Sequence, residues 1–293
     1  MGKAALRLLV LTLLALPVGA GAPAQAKMLV FASILPQRYF IDRVAGDRVE
    51  VRVMVPPGAS PATYEPKPLQ MADLSRASAY FAVGVPFERV WMGKIAAASP
   101  SMKVVYTDSG IQKIPMAAHG HGTEGGSAQG GAPDPHIWTA PPLVMLQARH
   151  ILTALLEIDP AGRDTYQQHY KAFIQELADL DTELLRIFSG PNRLDRFMVF
   201  HPSWGYFAQA YGLTQVPIEI EGKAPKPALL KTLIGEARAH GVRVIFAQPQ
   251  FSAQSAEIIA REIGGQVVFA DPLAADWAKN LRKQAEAFRS AME

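Results

Sequence analysis

Three side chains stand where a metal ion could be gripped. His136 (Asp134-Pro135-His136-Ile137-Trp138) follows a glycine-rich stretch and precedes a helical pattern. His201 (Phe200-His201-Pro202-Ser203-Trp204) and Asp271 (Ala270-Asp271-Pro272-Leu273) each follow a short apolar run and precede a helical pattern. In open α/β sheets, ligand sites gather beyond the carboxyl ends of the strands. Two imidazoles and one carboxylate meeting there suit zinc, which takes nitrogen and oxygen donors at about 2.0–2.2 Å. Manganese and ferrous iron accept the same set, so donor types leave the metal open. Plainer readings exist for each residue. His201 before Pro202 could be a strand-end residue satisfied by backbone bonds. Asp271 before Pro272 could cap the terminal helix, as Asp often does. His136 could be an ordinary loop histidine. No spacing forces the three together.

The other histidines divide into two groups. His119 and His121 lie in the glycine-rich, low-complexity stretch from Met116 to Asp134, which cannot bury a core. They could contact metal or belong to a solvated tether. His150, His169 and His240 fall on helical patterns and read as surface or packing residues. A zinc hydrolase would use a donor set of this kind with an open coordination position. The sequence has no HExxH helix, and Glu65 is its one candidate general base.

The elements that must position these residues alternate short apolar strands with amphipathic helices. Strands are expected at Met28–Ser33, Arg48–Val55, Ala79–Gly84 and Lys103–Tyr106. Helices are expected at Pro36–Val44, Lys67–Ser75 and Phe87–Ala98. After the glycine-rich stretch, Pro141–Glu157 reads as a helix. Pro160 then starts a longer one, reaching Phe188 with apolar residues at three/four spacing. At about 1.5 Å per residue it covers roughly 42 Å, enough for a strut between two lobes. The alternation then repeats, with strands at Phe197–Phe200, Gln215–Ile220, Val242–Phe246 and Gln266–Phe269. Its helices are Trp204–Tyr211, Pro227–His240, Ala253–Ile263 and Leu273–Ala291. This pattern predicts an α/β fold: two lobes, each a small parallel sheet flanked by helices, joined by one long backbone helix. The expected boundaries are 27–157 and 190–293 for the lobes and 158–189 for the link.

Compartment and partners follow from the ends and the bulk. Lys3 and Arg7, the apolar run Leu8–Leu16, and Ala24-Gln25-Ala26 read as a cleavable secretory signal over residues 1–26. The run is too short to span a bilayer, which takes about 20 residues. The absence of cysteine removes lipid attachment, disulfides and thiolate ligands. The expectation is a periplasmic, unanchored monomer. The formal charge of +3 includes Lys3 and Arg7, leaving +1 after cleavage. There is no clustered basic stripe, hence no case for nucleic acid.

Seven phrases along nearly the whole mature chain resemble one family. Six can be quoted: SILPQRYFIDRVAG (33–46), VMVPPGASPATYEPKP (53–68), DPHIW (134–138), FHPSWGYFAQAYGL (200–213), AQPQFS (247–252) and GGQVVFADPLAADW (264–277). The seventh is the His-containing loop. The family is that of the zinc- and manganese-specific solute-binding proteins of ABC transporters, the ZnuA/TroA-like group. The resemblance implies a divalent ion, zinc above all, carried as cargo between the lobes to a membrane permease of an ABC importer. It implies His136, His201 and Asp271 as ligands; a histidine at 201 leans to zinc, since manganese-type members usually have Glu there. One departure is clear. The family pattern Pro-His-x-Tyr-Glu-Pro reads Pro61-Ala62-Thr63-Tyr64-Glu65-Pro66 here, so Ala62 stands where a ligand histidine should be. Water, His119, His121 or Glu65 could fill that place. Receptors of the same fold for iron chelates or corrinoids need a broad aromatic or Arg-lined cleft. Trp138, Trp204 and Tyr206 keep that reading open beside simple lobe packing.

Overall fold

The computed structural model describes residues 27–116, 132–190, 195–219 and 225–293. The expected leader and the pair His119 and His121 lie outside the described residues. The first half runs β1 (Met28–Ala32), α1 (Leu35–Ala45), β2 (Val49–Val53), α2 (Pro68–Leu74), β3 (Ala79–Ala82), α3 (Pro86–Ala98) and β4 (Lys103–Tyr106). Helices α4 (Pro141–Ile158) and α5 (Arg163–Phe188) follow. The second half runs β5 (Arg196–Val199), α6 (Gly205–Ala210), β6 (Thr214–Pro217), α7 (Pro227–Ala239), β7 (Val244–Ala247), α8 (Gln254–Glu262), β8 (Gln266–Phe269) and α9 (Trp277–Ala291). Among the described residues no helix is long and apolar enough to cross a membrane.

Local chemistry sets the boundaries. Pro86, Pro141 and Pro227 open α3, α4 and α7. Proline suits a first turn because its fixed φ is helical and its missing N–H would have no partner there. Gly46 ends α1 at φ 58°, a conformation side chains with Cβ avoid. The terminal helix starts at Trp277, four residues later than the pattern suggested. The Leu273 N–H donates to Asp271 Oδ1 at 2.9 Å, a local bond that competes with helix. Asp271 is therefore not the cap of α9, whose N-cap is Asp276. Pro160–Gly162 forms a 3-10 turn, so α5 begins at Arg163.

The two halves share one topology. Every strand pair is parallel, and the orders are β2-β1-β3-β4 and β6-β5-β7-β8. The chain leaves the central pair in opposite directions, β1/β3 in one sheet and β5/β7 in the other. The carboxyl ends of each pair therefore flank a crevice where helices do not cover the sheet. The first crevice is filled from within. Glu88, buried on α3, accepts hydrogen bonds from Ser33 Oγ at 2.5 Å, Val83 N–H at 2.9 Å and Gly84 N–H at 2.7 Å. Burial pushes its carboxyl up to about 7 against the opposing pull of those donors.

Helix α5 has 26 residues and spans roughly 39 Å at 1.5 Å per residue. It buries Phe173, Leu177, Leu180, Leu184 and Phe188, while Leu185 from the same apolar run faces solvent. Both halves are tied to it. Tyr39 O–H and Arg43 of α1 bond Glu176, Tyr211 O–H donates to Asp181 at 2.9 Å, and Arg282 of α9 pairs with Glu183. One apolar core runs from the first sheet along α5 and α9 to the inner face of the second. Trp277 meets Phe40 edge-on at 5.0 Å, and Phe288 stacks on Phe197 at 4.4 Å.

Candidate metal centre

The second crevice is where His201 stands. β5 pairs with β7, and just beyond their ends Gln248 continues the ladder with a side chain. Its Oε1 accepts His201 N–H at 3.0 Å and its Nε2 donates to the His201 carbonyl at 2.9 Å. The residue is thus fixed as if it were still in a strand. Its imidazole stacks on Phe251 at 4.6 Å, and Nδ1 lies 2.6 Å from Glu219 Oε1. Glu219 is held in turn by its N–H on the Phe200 carbonyl at 3.1 Å. Burial lowers the His201 pKa, while the Glu219 bond pulls the other way. The net direction favours neutral imidazole, the form that binds metal.

His136 enters from the first half. Asp134 N–H bonds the Ile114 carbonyl at 2.9 Å, which anchors the return of the chain. Asp134 Oδ1 then accepts the His136 N–H at 2.9 Å and lies 2.7 Å from its Nδ1. The spacing of two residues lets one carboxylate grip both main chain and ring. Tyr206 of α6 reaches across, accepting Ile114 N–H at 3.1 Å and donating to the Asp134 carbonyl at 2.8 Å. Gly205 beside it leaves the room Asp134 needs: a Cβ there would lie 2.8 Å from Asp134 Oδ2.

A carboxylate oxygen accepts, so with Nδ1–H as the donor in each ring, each Nε2 presents a lone pair. The two Nε2 atoms lie 3.4 Å apart. Two nitrogens on one tetrahedral zinc, each about 2.05 Å away, sit about 3.3 Å apart. The imidazoles thus face each other at ligand spacing, with their other nitrogens oriented by carboxylates as metal-bound histidines usually are. Asp134 and Glu219 are 0% and 3% exposed, and each keeps one oxygen, Oδ2 and Oε2, without a hydrogen-bond partner among the described residues.

The third expected ligand is not gathered with them. Among the described residues no group of three His, Cys, Asp or Glu side chains is assembled as a metal cage. Asp271 follows β8, and its Oδ1 accepts Gln250 Nε2–H at 2.7 Å. It borders an interlobe cavity of about 160 Å³ whose opposite wall is apolar: Ile34, Leu35, Val55 and Pro57. Ala62 and Glu65 are exposed on the loop leading to α2, with no place in the histidine pair. Trp138, Trp204 and Tyr206 are 1%, 0% and 3% exposed and serve packing and interlobe bonds. His150 bonds the Ser109 carbonyl, His169 packs against Gly46 and His240 meets Arg196, as their helical positions suggested. Asp134 went unnoticed as a partner of His136, although its place two residues upstream was the available signal.

The sequence profile described as zinc-uptake complex component A, periplasmic (ZnuA) matches residues 30–291. A solved ZnuA deletion mutant with zinc bound superposes with a TM-score of 0.83 and 43% identity, covering 91% of this chain and 98% of that one. The high-affinity zinc uptake system protein ZnuA of Bacillus subtilis is 28% identical over 246 residues, 82% of this chain and 76% of its own. The manganese ABC transporter substrate-binding lipoprotein PsaA of Streptococcus pneumoniae is 25% identical over 240 residues, 75% of this chain and 71% of its own.

Proposed function

The chain belongs to the family of periplasmic zinc-uptake component A, and we propose that it is a receptor that captures a divalent ion, zinc first, for an ABC importer. The ion is cargo, handed to a membrane permease. The observation that carries this reading is the pair of Nε2 atoms 3.4 Å apart, each ring backed by a buried carboxylate. His136 and His201 supply two donors, and Asp271 swings from its Gln250 contact to supply the third. Ala62 leaves a fourth position for water or another donor, and His119 or His121 can serve there. Zinc with three protein donors and an open place resembles catalytic sites. We nevertheless read a carrier, because the matching family is that of a zinc-uptake component, and the carboxylates beside the imidazoles, Asp134 and Glu219, bond the Nδ1 atoms and lie behind the rings. Manganese and ferrous iron remain within reach of the same donors.

The division into lobes at 27–157 and 190–293, linked by 158–189, completes the proposal. So does export as a monomer by a cleaved leader, with no cysteine for lipid attachment. The test is zinc titration of chelator-stripped protein. One ion per chain is expected. His136→Ala and His201→Ala should each weaken it by more than the tenfold to hundredfold that outer partners of metal ligands cost. A one-to-one complex indifferent to both substitutions overturns the assignment.

A further inference from the structure

His136 and Asp271 come from opposite halves, and one side chain links them. Trp138 lies two residues beyond His136, its ring 5.1 Å from the imidazole. It is 1% exposed, and its indole N–H donates across the interface to the carbonyl of Pro272 at 2.8 Å. Pro272 is the residue after Asp271. A return bond fixes the indole's own backbone: Trp277 Nε1–H donates to the Trp138 carbonyl at 2.7 Å.

The segment bearing Asp271 belongs to no regular element. Strand β8 ends at Phe269, the Ala270 N–H makes a last ladder bond to Ala247, and α9 begins at Trp277. Four further bonds hold the start of this turn. Gln250 Nε2–H and Leu273 N–H donate to Asp271 Oδ1, Asn280 Nδ2–H donates to the Asp271 carbonyl, and Trp138 Nε1–H donates to the Pro272 carbonyl. Three of the four come from the half that contains Asp271. Trp138 alone among them comes from the half that contains His136. A buried indole has few rotatable bonds and a single donor direction, so it acts as a strut of fixed length.

We propose that Trp138 is a positioning residue of the metal site, its indole N–H setting where the Asp271 carboxylate stands relative to His136. The proposal rests on the metal-receptor reading given above. It makes a coupling prediction. With the N–H removed, the start of the turn loses its bond from the other half, the Trp277 bond holding only its far end, and the carboxylate must be ordered as the ion binds. The effect on the ion then passes through Asp271 and vanishes when that carboxylate is absent.

The experiment is a double-mutant cycle on the full mature chain with zinc as the probe. Trp138→Phe keeps a buried ring and the return bond from Trp277 while deleting the donor. It should weaken zinc about tenfold, the lower end of the range for outer partners of metal ligands. In an Asp271→Ala background the same change should alter affinity less than about twofold, as expected when one residue acts through the other. Thermal unfolding of each ion-free variant shows that it is folded, and any general loosening cancels in the cycle. An equal loss in both backgrounds, or no loss in the unmodified background, overturns the role of Trp138 alone. Absence of zinc binding by the unmodified protein, or indifference to His201→Ala, overturns the receptor reading and this inference with it.

Discussion

Gly205→Ala tests whether the site depends on a close approach between the halves. A Cβ at this position would stand 2.8 Å from Asp134 Oδ2 and 3.0 Å from Gln215 Nε2. Relaxed non-bonded contacts begin near 3.5 Å, so atoms must move by about half an ångström or more. Asp134 has little freedom: it is fully buried, with its N–H on Ile114 and its carbonyl on Tyr206. Its side chain must therefore rotate, and Oδ1 moves off the His136 ring it holds at 2.7 Å. Overpacking of this kind costs about 1–3 kcal/mol. Loss of the carboxylate contact should weaken zinc tenfold to hundredfold, which is about 1.4–3 kcal/mol of zinc-linked stabilisation. At about 2 °C per kcal/mol for a chain of this size, the melting temperature without zinc falls roughly 2–6 °C. The rise on adding saturating zinc should shrink by roughly 3–6 °C more. The assay is thermal unfolding with and without zinc at fixed concentration. Adding Asp134→Ala to Gly205→Ala removes the oxygen that the new methyl meets. It should recover part of the zinc-free stability and none of the zinc shift. A Gly205→Ala protein with the wild-type zinc shift refutes the reasoning.

The remaining predictions address the other partners. Glu219→Gln keeps the shape but removes the charge behind His201, and competition titration should show zinc about tenfold weaker; unchanged affinity would remove Glu219 from the site. Ala62→His restores the donor that the family pattern carries and should tighten zinc at least about tenfold if the loop reaches the ion, since it closes a four-coordinate set; isothermal titration reads it directly. Glu88 gives stability a pH dependence whose sign is opposite to that of a salt-bridged acid. Its folded pKa is raised from 4.5 to about 7, so the native state holds the proton more tightly than the unfolded chain. Its contribution is fully present below pH 4.5 and is lost as pH rises to 7. The loss approaches 3 kcal/mol, at about 1.4 kcal/mol per unit. Glu88→Gln faces its amide toward the Gly84 N–H and destabilises by a constant amount. Urea unfolding of the two proteins should therefore converge between pH 4.5 and 7.5 as the wild type weakens. A gap that does not close would show that Glu88 is ionised throughout.

The fold was legible because periodicity reports burial. Ala79–Ala82 is buried at every residue, as a central parallel strand must be, while Val49–Val53 alternates as an edge strand with one wet face. Boundaries failed where a side chain competed locally with the backbone, as at Asp271 and Leu273. His201 stood out in the sequence because it follows a strand, and it does lie beyond the end of β5 at the crevice. Its neighbour His136 lies 65 residues away, and nothing in local pattern brings them to 3.4 Å. Gln248 and Glu219 each follow a strand, as His201 does, whereas Glu65, the candidate base, is exposed on a loop. Gly205 was silent, since the oxygen it makes room for belongs to the other half.

The charge balance of the histidine pair suits a cation whatever residue stands at position 62. Asp134 and Glu219 are withdrawn from water, and each uses one oxygen on an imidazole and leaves the other without a partner among the described residues. Buried carboxylate without full hydrogen bonding is unfavourable, and two lone pairs facing each other at 3.4 Å repel. A dication between the Nε2 atoms relieves all of this together. It satisfies the lone pairs, makes each Nδ1–H a stronger donor to its carboxylate, and matches the two negative charges. A single shared proton supplies only half that charge. On the receptor reading proposed above, the outer carboxylates favour a doubly charged guest at the histidine pair.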